Sequence, residues 1–527
     1  MTVEITNPDN LEEIVEIISK TVKGDTNLVN HIIFNGLSKD TKNPNHLMIM
    51  EKSSEGKSYP ALSIAEFFPK DEVIILASAT PQAFKYERGI LVDENYNSIQ
   101  EEIEELNMQI DEAEGKKEEN KYKKQLGKLL AKSKTLIDLR GKWIIFKEPP
   151  DPKLLEMLYS TLSNDQEYSE HKLVNKSNSG RFHGYTVVLR GTPAVLICTA
   201  RDETRSQRWL ETYSRFYTIS PKSSPKKYQE GMKLIGQKMG LPTEIYEENV
   251  INKQDKAKAR RIIKYLIQNI KKSDGECFNP FLEELSKQFP QESGYRWRQR
   301  QRFDNMLLMR CLCYYDQRPK LLINGRKVPV ITLDDLKWVN DVSQDGEIIP
   351  PYKVTWFKEV FMPCWQEKGK RIELFDATNG PVITGIDLKE YSEKNGKGST
   401  STKQIRETYL SNLYEFGIID QAMDSRNRTR DVYWPTDSTK NNGRKSSLIN
   451  ISSFNRECVE LCLDKYLKQR FGFEIHGKEI SQEEVVTYVL SEQNVIDHSI
   501  LSSNFEMEKR RSLEKNEKSN GKGGVHG

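Results

Sequence analysis

A short apolar run, His46-Leu47-Met48-Ile49-Met50, passes directly into Glu51-Lys52-Ser53-Ser54-Glu55-Gly56-Lys57-Ser58, and a helix-forming stretch from Tyr59 to Phe68 follows. Few folds accept strand, Gly-Lys-Ser loop and helix in immediate succession, because the loop must bend tightly with its amides turned inward. The run matches G-x-x-x-x-G-K-[ST] at every fixed position except the first, where Glu51 replaces glycine. That glycine normally permits a backbone geometry that other residues resist, so Glu51 bears on affinity and rate. As a phosphate loop, Ser54, Glu55, Gly56, Lys57 and Ser58 would cradle ATP. Lys57 would reach the β and γ phosphates, and Ser58 would bind Mg²⁺. The competing reading is a chance Gly-Lys-Ser in a Lys/Ser-rich turn; the flanking strand and helix favour the phosphate loop.

Such a loop needs an acid at the end of a neighbouring strand to orient the attacking water. Trp143-Ile144-Ile145-Phe146-Lys147-Glu148 supplies one, and Glu148 takes that role. Lys147 stands where a second acid is usual, which leaves Mg²⁺ to Ser58 and water. Ala194-Val-Leu-Ile-Cys-Thr199 is a further apolar strand whose terminal Thr199 can meet the γ-phosphate or the water. Arg215, just before the strand-like Phe216-Tyr-Thr-Ile219, is the candidate finger toward a neighbouring subunit's nucleotide. Each of these also has a plain reading, as a solvated strand end or a surface arginine.

Around these motifs, strands alternate with helices over 40–221, the pattern of an α/β domain. Residues 9–36 read as helical. Within 97–139, Ile99, Ile103, Leu106, Ile110 and Ala113 step by fours and threes, and Tyr122, Leu126, Leu129 and Leu136 resume beyond Gly115. That spacing predicts an antiparallel helical hairpin inserted in the core. A helix is expected near 152–162 and a β-hairpin over 168–190. The expected division is a helical segment 1–40, an ATPase core 41–225 and a helical lid or linker 226–318. A winged-helix region 319–440, a small helical domain 441–503 and a disordered Lys/Glu/Asn/Gly-rich tail 504–527 follow.

With these parts in order, residues 40–221 resemble the P-loop ATPase module of AAA+ helicases, closest to helicase-like proteins of archaea and their mobile elements. The resemblance rests on 46–58, Ser78-Ala-Thr-Pro81, Ile144-Ile-Phe-Lys-Glu-Pro-Pro150 and Arg190-Gly-Thr-Pro-Ala-Val-Leu-Ile-Cys-Thr199. The fold it implies is an α/β P-loop NTPase core, AAA+-like, with an inserted antiparallel helical hairpin, followed by mainly helical and winged-helix domains. The hairpin at 168–190 resembles the pre-sensor-1 hairpin of superfamily 3 and minichromosome-maintenance helicases. Its strand-contacting candidates are Lys176, Arg181 and His183, although basic hairpin tips also serve solubility.

Two other stretches suggest nucleic-acid contact. Tyr295-Arg-Trp-Arg-Gln-Arg-Gln-Arg302 interleaves arginines with aromatics, which bind phosphates and stack on bases; Arg298 and Arg302 are its candidates. Residues 380–436 read as a winged helix. Lys403 and Arg406 lie on its longer helix, with Arg426, Arg428 and Arg430 on the wing. Winged helices also serve as protein-interaction modules. Net charge decides nothing here, because 80 basic residues meet 77 acidic ones and any such surface must be local.

Seven scattered cysteines without a CxxC pair argue against zinc and for a reducing compartment. No apolar run approaches the roughly 20 residues of a membrane span. The sequence therefore leads to a cytoplasmic ATP- and Mg²⁺-dependent ATPase acting on single- or double-stranded DNA. A DNA helicase or replication-type motor, able to form a homo-hexamer as the resemblance implies, is the first expectation. An ATP-gated initiator or switch with little hydrolysis is the second, and a scaffold with a relic nucleotide site the third.

Overall fold

The computed structural model describes residues 11–50, 57–77, 84, 89–164, 166–176, 182–199, 215–221, 225–289, 294–343, 351–372, 380–396, 401–415, 418–424, 427–436, 449–467, 471–475 and 477–491. Five strands, β1 (His46–Met50), β2 (Val73–Leu76), β3 (Trp143–Phe146), β4 (Ala194–Thr199) and β5 (Tyr217–Ile219), form one sheet in the order β2-β3-β4-β1-β5. Every neighbouring pair is parallel. Parallel strands need crossover connections, and their sheets are covered on both faces, so such strands read as continuous apolar runs. That is why β1, β3 and β4 are buried along their whole length.

Side chains alternate across the sheet. Leu47, Ile49, Trp143, Ile145, Leu196 and Cys198 join the core on one face, beneath helices α1 (Leu11–Ser19), α2 (Thr26–Leu37) and α3 (Ser58–Ala65). Met48, Met50, Ile144, Phe146, Val195 and Ile197 join the other, beneath α4 (Pro152–Leu162). The helical segment expected to stand apart at 1–40 is thus part of the core. In α2 every residue from Leu28 to Leu37 is buried, as in a helix surrounded by protein. Asn35 ties it down: Trp143 Nε1 donates to its Oδ1 at 2.7 Å, and its Nδ2 donates to Asn45 O (2.6 Å) and Val195 O (3.2 Å). Beside it, a Cβ on Gly36 would fall 2.8 Å from Phe68 Cζ and 3.0 Å from the Trp143 ring, so only glycine fits.

A second sheet, in the order 90–92, 134–138, 182–190, 168–176, packs its Ile137, Val187 and Leu189 against the α4 face. The β-hairpin spans 168–176 and 182–190, from Tyr168↔Arg190 at its base to Lys176↔Phe182 near its tip. The inserted helices are Gln100–Asp111 and Lys116–Lys132, packed on one another without a buried residue. One expectation fails there: Leu136 lies on a strand, Lys134–Asp138, and not on the second helix. The run Thr135-Leu-Ile is rich in β-branched residues and finds strand 182–190 to pair with.

Helices 225–240, 243–250, 253–272 and 282–288, with α5 (Gly294–Cys313), follow the sheet. Strand 320–323 then turns through Asn324-Gly325, both at positive φ, into 326–329, the turn that Asn-Gly favours. This hairpin also pairs with 472–475, which pairs with 478–480. Residues 319–343 and 449–491 therefore form one unit packed on the main core, joined by the pairing of 320–322 with 472–474. Between them, 351–436 has its own core of Trp356, Phe361, Ile383, Leu388, Ile405, Leu413 and Tyr433. Its order is helix 351–368, strands 370–372 and 380–384, helices 385–394 and 402–415, then strands 419–424 and 427–435.

The junction is held by a buried ion pair. Arg318 Nε donates to Asp335 Oδ2 at 3.0 Å, and the same oxygen accepts from Thr332 N and Oγ1, each at 3.0 Å. Asp335→Ala strands the Arg318 charge, which predicts a loss of about 3–5 kcal/mol in chemical denaturation. The exposed pair Glu119–Lys123, cut by Glu119→Ala, should cost no more than about 0.5 kcal/mol.

Candidate functional site at the carboxyl edge of the sheet

Because all five strands run the same way, their carboxyl ends share one edge. In open parallel sheets, ligands bind at that edge, beside the strand where the order reverses. Here the chain crosses from β1 to the far strand β2, returns through β3 and β4, and then passes over β1 to β5. The reversal therefore falls at β1, whose last residue Met50 lies level with Thr199 at the end of β4.

Two residues of the candidate phosphate loop are described, and both sit at this edge. Lys57 has helical dihedrals and immediately precedes α3, whose first residue is Ser58. Ser58 Oγ donates to Lys147 O at 3.4 Å, and the Cys198 thiol donates to Lys57 O at 3.7 Å. The start of α3 thus lies over the ends of both β3 and β4. Phe146 pairs with Ile197, so Glu148 emerges two residues beyond the same level from which Thr199 emerges from β4. Glu148 is exposed, whereas Thr199 is buried. On the far side of β1, Ser220 Oγ donates to Met50 O. Ser54, Glu55 and Gly56 lie outside the described residues.

The edge therefore collects Lys57, Ser58, Glu148 and Thr199, residues scattered over 142 positions from Lys57 to Thr199. A cation, two hydroxyls and a solvent-facing carboxylate around a helix start can hold phosphate oxygens and orient a water. Two participants escaped the sequence reading. Cys198 reads as one more apolar strand residue, yet its thiol bonds the phosphate-loop backbone; burial holds its pKa up at about 11, so it is a packing group, not a nucleophile. Ser220 follows a short strand and carries no motif at all.

Arg215 lies elsewhere. It precedes β5 and so stands at the amino edge of the sheet, across from Lys57. Its guanidinium donates to Tyr159 O at 3.0 Å and to Ser163 Oγ, and stacks over the Tyr159 ring. It cannot meet a ligand held at the carboxyl edge of its own chain. The same edge holds a cavity of about 340 Å³, and Arg298 and Arg302 line it with Arg215 and His46. Those two arginines, one turn apart on α5, were expected on an open nucleic-acid surface; instead they face this recess.

Of the remaining candidates, Lys176 and His183 fall on the outer end of the β-hairpin, and Arg181 lies outside the described residues. Lys403 and Arg406 are exposed on helix 402–415, with side chains 82% and 60% accessible. Arg428 and Arg430 belong to strand 427–435, and Arg426 is outside the described residues. No group of three or more His, Cys, Asp or Glu able to hold a metal occurs among the described residues. No described helix is long and apolar enough to cross a membrane. No protein-family model matches the chain, and no curated protein matches it either.

His46, at the start of β1, gives this region a pH signature. Burial first, then the Arg215 and Arg302 charges, hold its pKa down at about 4, against the bond from its ring to Leu162 O. In the unfolded chain it titrates near the ordinary 6.5. Between those values the unfolded chain binds a proton that the folded protein refuses, so stability falls as pH drops through that window. From pH 7 to pH 5 the His46 contribution should fall by about 2 kcal/mol. Denaturation of wild type and His46→Gln at both values measures it, because the variant lacks that part of the loss.

Proposed function

We propose that the chain is an ATP-dependent, nucleic-acid-acting P-loop ATPase of the AAA+ helicase type, with DNA as its partner. The observation that carries this reading is the meeting of Lys57, Ser58, Thr199 and Glu148 on the carboxyl edge beside β1. With β4 lying between β1 and β3, Thr199 stands between the Lys57–Ser58 helix start and Glu148. A γ-phosphate resting on Lys57 would then have Thr199 beside it and Glu148 beyond, on the side from which water attacks.

The residues also accommodate Mg²⁺. Ser58 Oγ spends its proton on a long contact to Lys147 O, which it can release, leaving the hydroxyl to hold the ion together with water. When bound, the ion would neutralise phosphate charge. Lys147 offers only its carbonyl where a second carboxylate is usual, and its side chain is exposed. That observation favours the second reading, an ATP-gated initiator or switch that turns over slowly.

DNA contact is supported by the 351–436 unit, whose order of a helix, two strands, two helices and two strands resembles that of a winged helix. Its 402–415 helix presents Lys403 and Arg406 to solvent, as a major-groove helix would. Self-association into a ring fits the exposed stripe Tyr228, Met232, Ile235 and Met239 on helix 225–240. Its four- and three-residue steps are those of a helix that pairs with another.

ATP turnover by wild type, Lys57→Ala and Glu148→Gln, each with and without single-stranded DNA, tests the reading. DNA-stimulated turnover is expected in wild type only, and Glu148→Gln should still bind ATP while turning over about 100-fold slower or worse. Turnover unchanged in Lys57→Ala would refute a P-loop enzyme. Binding without measurable turnover in wild type would select the switch. In the second module, Lys403→Ala with Arg406→Ala should weaken duplex binding and flatten its salt dependence, measured by fluorescence anisotropy across a salt series.

A further inference from the structure

The cavity at the amino edge of the sheet belongs to none of the machinery above. It is formed where α5 crosses the starts of β1 and β5, and at about 340 Å³ it falls in the range of small-ligand sites. Arg298 and Arg302 reach it from α5 and Arg215 from the segment before β5. No Asp or Glu lines it among the described residues. Three arginines line one recess, and guanidinium groups donate in the geometry that phosphate and carboxylate oxygens accept.

His46 narrows the choice. It lines the same cavity at 8% exposure, and its Nδ1 is buried with no hydrogen-bond partner. Its Nε2 lies 3.3 Å from Leu162 O. A carbonyl can only accept, so Nε2 carries the proton and Nδ1 presents a lone pair. A ligand that satisfies the site must therefore bring anionic oxygens for the arginines and one O–H donor for His46. A protonated phosphate has both; sulfate at neutral pH has the first and lacks the second.

We infer that this cavity binds a monoprotonated phosphate group, its charged oxygens held by Arg215, Arg298 and Arg302 and its P–OH donated to His46 Nδ1. The phosphate is either inorganic or the terminal group of a mononucleotide, which the volume also admits and which would bind as its monoprotonated form, the minor one at neutral pH because its second pKa is about 6. The site is separate from the carboxyl edge, so it stands or falls independently of the ATPase reading.

Calorimetric titration of the full chain tests it, with sodium phosphate, sodium sulfate and AMP as probes at fixed ionic strength. In Lys57→Ala, which removes the candidate phosphate contact at the carboxyl edge, phosphate should still bind, and at least tenfold more tightly than sulfate. Arg298→Gln and Arg302→Gln, checked for fold by circular dichroism, should each weaken phosphate about tenfold or more. AMP binding more tightly than phosphate, with the same arginine dependence, would identify the mononucleotide as the source; the reverse order would identify the free ion. No saturable binding by wild type would overturn the inference. So would binding lost in Lys57→Ala and kept in both arginine variants, or equal affinity for sulfate.

Discussion

Backbone pairing of β1 with β4 on one side and β5 on the other sets the position of everything else in the core. Parallel pairing aligns the peptide directions, so amino ends and carboxyl ends separate onto opposite edges. With Met50 level with Thr199, and Phe146 level with Ile197, three chain segments far apart in sequence deliver their next residues to one place. The pairing survives because both faces are dry. Asn35, the polar side chain buried between α2 and the sheet, is satisfied by Trp143, Asn45 and Val195.

The two edges that result have different characters. The carboxyl edge is open, with Glu148 in solvent and a helix start facing outward. The amino edge is roofed by α5 and carries a concentration of positive charge that helps burial keep His46 neutral. Arg215 belongs to the second edge and is occupied with α4, through Tyr159 and Ser163. Under the proposed ATPase reading, Lys57 is the cation available within one chain at the carboxyl edge, and Arg215 could act there only on a neighbouring subunit.

Much of the first edge was legible in the sequence. The strand 46–50, the helix beginning at Ser58, the acid two residues after Phe146 and the threonine after Cys198 each read from local pattern, and the sheet brings them to one edge. The β-hairpin 168–190 and the 152–162 helix were equally local. What the sequence hid was long-range. Arginines 298 and 302 alternate with aromatics like a nucleic-acid stripe, and only the packing of α5 turns them toward the sheet. Strand 320–323 completes its sheet with 472–475, about 150 residues later, a pairing no periodicity reveals. Leu136 continued a heptad step by coincidence, while Thr135 and Ile137 had already changed the local preference to strand.

The central claim is that nucleotide sits at the carboxyl edge beside β1. Hydrogen–deuterium exchange on the full chain, with and without Mg²⁺ and ATP, addresses it directly. The account predicts slower exchange across the start of α3 from Ser58 and at Lys147–Glu148, with the effect gone in Lys57→Ala. Exchange unchanged at those segments under saturating ATP, or slowed only at the α5 edge, would contradict it.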